Sequence, residues 1–333
     1  MSSNNESTTL ILLWTSTSSK INSYFSIFLL LVGTIGNVLN LFVLSQRKLR
    51  SNPCAWLFFV SSIFNLISLL SGLTTKLFSD TLFNLIDRVK FLCQLRAFIL
   101  LTSRTIAAWS IMLATFDRWL LSCTNIVYRN MSTLKNARQQ MIIIVVISLL
   151  IYCPIFHCYQ ANLSNSPLKC YSQSIPCRIF FEQIYTLVTI LIPLIFMVLF
   201  GILTMSNVRK LHHRFQIPLL TKFPPTTITS EHRQRLKSID RRLLIMLLIQ
   251  ISFLTLLTLP QALEMIYLTI TRTRLKSPLQ HTIENSIFNF SLLLTYLASG
   301  IPFYIYTLSG GRVFREEVYL LFRKFEQLLC CRH

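Results

Sequence analysis

The chain has 333 residues, of which 53% are hydrophobic and only 13% are charged, and its mean hydropathy is +0.55. A soluble domain cannot usually bury so much apolar sequence, so the composition predicts a polytopic membrane protein. The formal net charge is +20. However, the basic residues lie between long apolar runs, as in membrane-protein loops, which argues against a nucleic-acid partner. The nine cysteines form no paired CxxC pattern, so we expect no metal site, and no motif indicates another cofactor.

Residues 1–20 are polar and rich in Ser, Thr and Asn. They lack the basic region and the small-residue cleavage site of a signal peptide, so we expect an uncleaved N-terminal segment over residues 1–22. Asn5-Glu6-Ser7 in this segment is a glycosylation sequon.

Seven apolar segments follow, and each is long enough to cross a membrane as a helix. They occupy residues 23–45, 54–79, 92–123, 140–159, 180–206, 241–270 and 284–308. The pattern predicts an all-α membrane protein, a seven-transmembrane helix bundle over residues 23–308, followed by a tail over residues 309–333.

The Lys and Arg residues between the segments indicate the orientation. With the N-terminus outside, the inner loops and the tail contain 20 basic residues and the outer side contains 9. Because cytoplasmic loops carry an excess of Lys and Arg, this bias predicts an extracellular N-terminus and a cytoplasmic tail.

The third segment has Cys93 at one end and Asp117-Arg118-Trp119 at the other. The 25 residues from Cys93 to Arg118 rise about 37 Å as a helix, enough to cross a hydrocarbon core about 30 Å thick. With the predicted orientation, the cysteine lies at the outer face and the acid–base pair at the cytoplasmic face. This arrangement resembles the third transmembrane helix of the rhodopsin-like G-protein-coupled receptors, and the resemblance covers about residues 21–330.

The resemblance implies a switch at the cytoplasmic face. Arg118 would contact a heterotrimeric G protein when the inner helix ends separate, and would pair with Asp117 at rest. Asp240, twenty residues before Pro260, occupies the position of an acid that closes an ionic latch with this arginine. Exposed pairs contribute little free energy, so such a latch can only bias a two-state equilibrium.

On the outer side, the resemblance implies a disulfide from Cys93 to the second outer loop, in a compartment where disulfides persist. That loop offers Cys170 and Cys177, and the family's spacing to the helix-five proline favours Cys170. Asn162-Leu-Ser is a second glycosylation sequon on this side.

Two asparagines stand at family positions inside the membrane. Asn37 follows Gly33-Thr-Ile-Gly and is expected to bond neighbouring helices. Asn65 replaces the family's buried aspartate, and Ala107 replaces a serine of the third helix. Without that carboxylate, we expect the family's sodium pocket to be absent.

Pro193 and Pro260 match the helix-kinking prolines of helices five and six. Pro302 and Tyr306 align with the family's Asn-Pro-x-x-Tyr, with the proline one place early. Thr258 replaces the tryptophan that precedes the helix-six proline, so the usual activation relay is altered while the fold is retained.

The tail resembles the family's amphipathic eighth helix over residues 314–324, which would lie on the inner lipid surface. Cys330-Cys331 follows it and is typical of a palmitoylation site.

Two family positions lack the residues that bind amines and retinal, which argues against both of these ligand classes. Leu100 stands where an amine receptor has its aspartate, and Tyr296 stands where an opsin has its lysine. Arg104 lies one turn below Leu100 in the outer half of the third helix, and an intramembrane arginine indicates function.

Arg104 has two interpretations at this point. It forms an internal pair with Glu264, or it meets a ligand carboxylate or carbonyl while Glu182, Glu264 and Glu284 meet a ligand base. The ending Tyr306-x-Leu-Ser-Gly is similar to that of FMRFamide-type neuropeptide receptors, which favours a short peptide ligand.

The resemblance therefore implies a receptor of the plasma membrane rather than an enzyme, with a G protein, an extracellular ligand and membrane lipids as partners. A polytopic transporter is the alternative. It would require symmetric half-helices broken by Gly or Pro, and the chain has only seven glycines.

Overall fold

The computed structural model describes residues 2–77, 88–163, 170–215, 227–271, 274, 276–309, 318–319 and 323, without the side chains of 2–12, 47–48, 75–77, 211–215, 227–243 and 309. Seven long helices account for most of this part of the chain. In chain order they are α1 (Ser2–Leu44), α2 (Pro53–Leu77), α3 (Lys90–Ser122), α4 (Leu134–Tyr152), α5 (Ile175–Ile184 and Ile192–Phe215, joined by the π-helical turns Tyr185–Leu191), α6 (Thr227–Ile270) and α7 (Pro278–Gly300, continued by Pro302–Ser309). Short helices lie at Arg47–Arg50, Ile126–Met131 and Ile155–Cys158.

Local sequence sets several helix starts. The side chains of Thr133, Ser174 and Ser277 each accept a hydrogen bond from a backbone N–H in the first turn of α4, α5 and α7. A proline follows at the first or second position of α5 and α7, where its missing N–H costs nothing.

Six of the described helices are long and apolar enough to cross a membrane, and the two parts of α7, bent by 48°, make a seventh when counted as one span. The protein is therefore a multi-pass membrane protein, as the sequence predicts. α1 differs in extent: its helix begins at Ser2, ahead of the predicted residue 23. Extending an existing helix costs less than starting one, so the polar residues before the span continue it.

α3 lies at the centre of the bundle and α4 at its edge. In the most apolar stretch of α3, 67% of the residues are buried within the protein. In the corresponding stretch of the α4 span, 22% are buried. Ile142, Ile143, Val146 and Leu150 of α4 are exposed. These apolar side chains suit contact with lipid tails, while the polar residues of α3 face protein.

α1 and α7 meet at two glycines. A Cβ built on Gly300 would lie 3.1 Å from Cα of Gly33, so the two backbones approach with no side chain between them. One turn further along, the Asn37 amide donates to the carbonyls of Gly33 at 2.8 Å and Ser299 at 3.0 Å. Close packing of small residues and a polar tie thus hold these helices together.

Pro193 and the wide turns of α5 together leave one backbone carbonyl without a backbone donor. The Ile192 N–H bonds to the carbonyl of Leu187, five residues back, so the next carbonyl, that of Val188, would require an N–H from Pro193. Proline has none. Trp109 of α3 donates its indole N–H to this carbonyl at 2.9 Å instead, which satisfies it inside the membrane.

The inner part of α7 places Tyr306 in the core. Its hydroxyl donates to Gln250 Oε1 of α6 at 2.5 Å, and its ring lies 5.0 Å from that of Phe58 in α2. The bend before Pro302 therefore directs this tyrosine between α2 and α6.

A short antiparallel hairpin covers the end of the bundle at which Cys93 lies, with β1 (Tyr159–Gln160) paired to β2 (Tyr171–Ser172). The Gln94 amide of α3 donates to the carbonyls of Phe156 and Tyr159 and holds β1 in place. Asn162 is exposed in the connection and has a φ of 61°, a left-handed conformation that asparagine tolerates.

Two disulfides fix this hairpin. Cys93 bonds to Cys170, which ties the hairpin to α3, and Cys158 bonds to Cys177, which ties the short helix Ile155–Cys158 to the start of α5. From the sequence, either Cys170 or Cys177 could bond to Cys93, and the family's spacing favoured Cys170. The structure pairs Cys93 with Cys170, and Cys177 bonds to Cys158 instead.

We predict that mass spectrometry of non-reduced proteolytic peptides will recover both linkages, because both pairs lie on the oxidising side of the membrane in the predicted orientation. The exposed Cys153, which has no disulfide, is the control and should be alkylated before reduction. A peptide linking Cys93 to Cys177 would contradict the assignment.

Candidate ligand cavity and cytoplasmic switch

A partly enclosed cavity lies beneath the hairpin, between α3, α5, α6 and α7. Its empty space, including the open mouth, measures about 840 Å³. Of the residues proposed from the sequence, it brings together Leu100, Arg104, Glu182 and Tyr296.

Arg104 is the buried charge of this cavity and is only 6% exposed. Its Nε donates to Ser68 Oγ of α2 at 3.3 Å, and its Nη1 donates to the Tyr185 hydroxyl of α5 at 2.9 Å. Its guanidinium carbon lies 4.0 Å from the ring centre of Tyr296 in α7. Its Nη2 has no hydrogen-bond partner among the described residues.

The internal Arg104–Glu264 pair is not formed, so that interpretation was wrong. The guanidinium is directed to α2, α5 and the α7 tyrosine, whereas Glu264 projects from α6 and does not line the cavity. Both Glu264 carboxylate oxygens are buried and have no hydrogen-bond partner in the part of the chain that the structure describes. The partners of Arg104 are neutral, and a buried charge without a counter-ion costs several kcal/mol, on the order of 3–5.

Glu182 is held by its neighbours. Its carboxylate lies 2.8 Å from Arg178 Nε and accepts the Tyr171 hydroxyl at 2.9 Å. Burial and the nearby Glu182 carboxylate raise the pKa of Tyr171 well above its usual value, so its phenol stays protonated and donates. The cluster joins the hairpin to α5 at the cavity wall.

Glu284 lies outside this cavity, which corrects its assignment to the ligand pocket. Its carboxylate is 2.6 Å from Lys276 Nζ and also accepts from Tyr267 and Gln280. This acid is engaged by the outer ends of α6 and α7.

A second cavity of about 570 Å³ lies deeper in the bundle, and Arg104 and Tyr185 line both cavities. Asn65 lines the deeper one and donates to Ser61 Oγ at 3.4 Å. Gln250, the partner of Tyr306, also lines it. The first cavity therefore lies at the hairpin end of the bundle and the second extends toward the residues that hold Tyr306, and the two share Arg104 and Tyr185 in their walls.

The opposite end of α3 contains a second polar group. Arg118 Nη2 lies 2.9 Å from Asp117 Oδ2 and donates to Asn52 Oδ1 at 2.9 Å. The Ser132 hydroxyl donates to the other carboxylate oxygen at 2.5 Å. Both Asp117 and Arg118 are buried, so this network is shielded from solvent.

Asn52 has two roles at once. Its Oδ1 also accepts from the backbone N–H of Cys54 at 3.0 Å and of Ala55 at 3.4 Å, which caps the start of α2. The first inner loop is thereby joined to the Asp117–Arg118 pair.

Several predicted residues lie outside the described part. These are the side chains of Asn5 and Asp240, both cysteines Cys330 and Cys331, and the eighth-helix segment apart from residues 318, 319 and 323. The latch, lipidation and glycosylation assignments stay predictions.

The sequence matches the family described as 7 transmembrane receptor (rhodopsin family) over residues 36–306. The chain belongs to this family. This rhodopsin-family receptor is also 28% identical to nmur-2, a neuromedin U receptor homologue of Caenorhabditis elegans, over 140 residues. The match covers 42% of this chain and 34% of the relative, so it spans about a third of the relative's length. The family is one of receptors, not enzymes, and the transporter alternative is not supported.

Sequence reasoning missed several residues of this rhodopsin-family receptor. Ser68, Tyr185 and Gly72 carry no motif, because their roles depend on which helix faces turn inward. Asn52 did carry a signal, since an asparagine before a proline at the start of an apolar segment is typical of a helix cap.

Gly72 gives a test of the Arg104 environment in this rhodopsin-family receptor. A Cβ at this position would lie 1.9 Å from the Tyr296 hydroxyl oxygen, so Gly72→Ala must displace the ring that packs on Arg104. We predict a stability loss of about 1–3 kcal/mol, measured as a lower thermal midpoint of the solubilised receptor. Gly201→Ala is the control, because its Cβ would meet only Leu248 at 3.4 Å and helix propensity favours alanine. Equal midpoints for the two variants would contradict the packing argument.

Proposed function

We propose that the protein is a G-protein-coupled receptor of the plasma membrane that converts binding of a short extracellular peptide into nucleotide exchange on a heterotrimeric G protein. The observation that carries the proposal is the position of α3. One end of this helix lines the cavity beneath the hairpin through Leu100 and Arg104, and the other end carries the buried Asp117–Arg118 pair. The excess of basic residues in one set of loops supports an extracellular cavity and a cytoplasmic Arg118.

A peptide fits the chemistry of the cavity. Its walls combine aromatic rings with three arginines and one glutamate, and Arg104 has a donor without an acceptor. A backbone carbonyl or carboxylate of a peptide would supply that acceptor. The relative's name, neuromedin U receptor homologue, is that of a neuropeptide receptor and supports the same ligand class.

Signal transfer would pass through Arg104 and Tyr185, which line both cavities. A ligand at Arg104 changes the environment of Tyr185 and of the deeper cavity, where Gln250 holds Tyr306. At the inner end, Arg118 must leave Asp117 and Asn52 before it can contact a G protein. A ligand favours the active form only by the difference in its affinity for the two forms.

A screen of short peptides on cells that express the receptor with a promiscuous Gα tests this function. We expect at least one peptide to stimulate guanine-nucleotide exchange, and Arg118→Ala to abolish the response at equal surface expression, because the variant lacks the G-protein contact. A stimulating peptide that acts equally on Arg118→Ala would refute the assigned coupling residue. Peptide-independent solute flux through the protein would refute the receptor itself.

Asn52 provides a matched pair of variants for the resting state. Asn52→Asp keeps the helix cap and gives Arg118 a charged partner, so basal exchange should fall. Asn52→Ser also keeps the cap, but its oxygen is too short to reach Arg118, so basal exchange should rise by about 2- to 10-fold, the equivalent of one hydrogen bond. Exchange is measured without ligand at matched expression. Equal basal rates in the two variants would show that the Asn52–Arg118 bond does not restrain the switch.

A further inference from the structure

Arg104 is a buried cation whose described partners are all neutral. Ser68 and Tyr185 offer oxygen acceptors and Tyr296 offers a ring face, but none of them carries a negative charge. Hydrogen bonds to neutral groups satisfy donors without cancelling the charge. A buried guanidinium in a membrane therefore requires a counter-ion from elsewhere.

Two donors at this point have no acceptor among the described residues. One is Arg104 Nη2. The other is the Tyr185 hydroxyl proton, because this oxygen already accepts from Arg104 Nη1 and donates to no described residue. Both side chains line the cavity beneath the hairpin, here called the upper cavity, and also the deeper cavity. Both donors are therefore adjacent to empty space.

The surrounding charge favours an anion. The upper cavity is lined by three arginines and one glutamate, and this glutamate, Glu182, is already bonded to Arg178 and Tyr171. Among the described residues that line the deeper cavity, Arg104 is the only charged one. A cation would find no carboxylate there, whereas an anion would find an uncompensated positive charge.

We propose that, in the receptor without ligand, Arg104 and Tyr185 bind a small monovalent anion, of which chloride is the physiological example, at the boundary of the two cavities. One guanidinium and one phenol suit a single charge that sheds its water readily. The anion neutralises the buried arginine until a ligand group takes its place. This inference goes beyond the receptor function and does not depend on the identity of the ligand.

The test uses the full-length receptor purified in detergent without agonist. Its thermal midpoint is measured while sodium gluconate is replaced by sodium chloride at constant ionic strength. We expect a saturable rise of about 2–4 °C at about 150 mM chloride, because an ion that binds only the folded state stabilises it. Choline chloride should give the same rise. A rise that follows sodium rather than chloride, or no rise at all, would overturn the proposal.

Two variants, one that removes the positive charge and one that adds a negative charge beside it, test whether the chloride response arises at Arg104. Arg104→Gln removes the charge, and Ser68→Asp places a carboxylate next to Arg104 Nε. We expect both to lose the chloride response and to have midpoints in gluconate at or above that of the unmodified receptor. Arg96→Gln is the control that keeps the response, because Arg96 lines the same upper cavity but bonds to the carbonyls of Ser71 and Gly72.

A chloride response that persists in Arg104→Gln or in Ser68→Asp would overturn the proposal, and either variant decides if the other fails to fold. Anomalous scattering from bromide in crystals of the unmodified receptor is a second readout. Density at Arg104 supports the site, and density only elsewhere refutes it. Since no agonist or G protein is present, failure of this test is separate from failure of the receptor function.

Discussion

A helix that carries three arginines and an aspartate through a membrane must turn each of those side chains toward protein. In α3 this requirement is met along the whole length: Arg104, Asp117 and Arg118 are buried, and the half-buried Arg96 bonds to two carbonyls of α2. The partners come from α2, α5 and α7 at one end and from the inner loops at the other. The other helices are therefore arranged around α3, and those at the edge present apolar side chains to lipid.

Two irregular stretches of backbone, one in α5 and one in α7, are accommodated within the bundle. The wide turns of α5 leave the Val188 carbonyl without a backbone donor, and the Trp109 indole supplies one. The bend of α7 lies directly before Pro302, and Tyr306 beyond it lies between α2 and α6. The indole of a neighbouring helix thus satisfies the carbonyl in α5, because an unsatisfied polar group is costly in a membrane.

The spans and their order could be predicted from the sequence, since hydropathy alone identifies long apolar helices. Cys93 and the Asp117–Arg118 pair could be placed because both follow from distance along one helix. The partner of Arg104 could not. Sequence places Arg104 and Glu264 at similar depth, but the rotation of each helix about its axis decides which side chains meet. That rotation depends on packing across the whole bundle, as at Gly72, where the Tyr296 hydroxyl occupies the space of a side chain.

The glycine contact between α1 and α7 restricts how this sequence can diverge over evolutionary time. A Cβ at Gly33 would lie 3.2 Å from Gly300 Cα and 2.8 Å from a Leu69 methyl group, and a Cβ at Gly300 would lie 3.1 Å from Gly33 Cα. An alanine at either site forces the two helix axes apart. Once they have separated, the second glycine no longer has a steric reason to persist. Gly33 and Gly300 should therefore be either both retained or both substituted in related sequences.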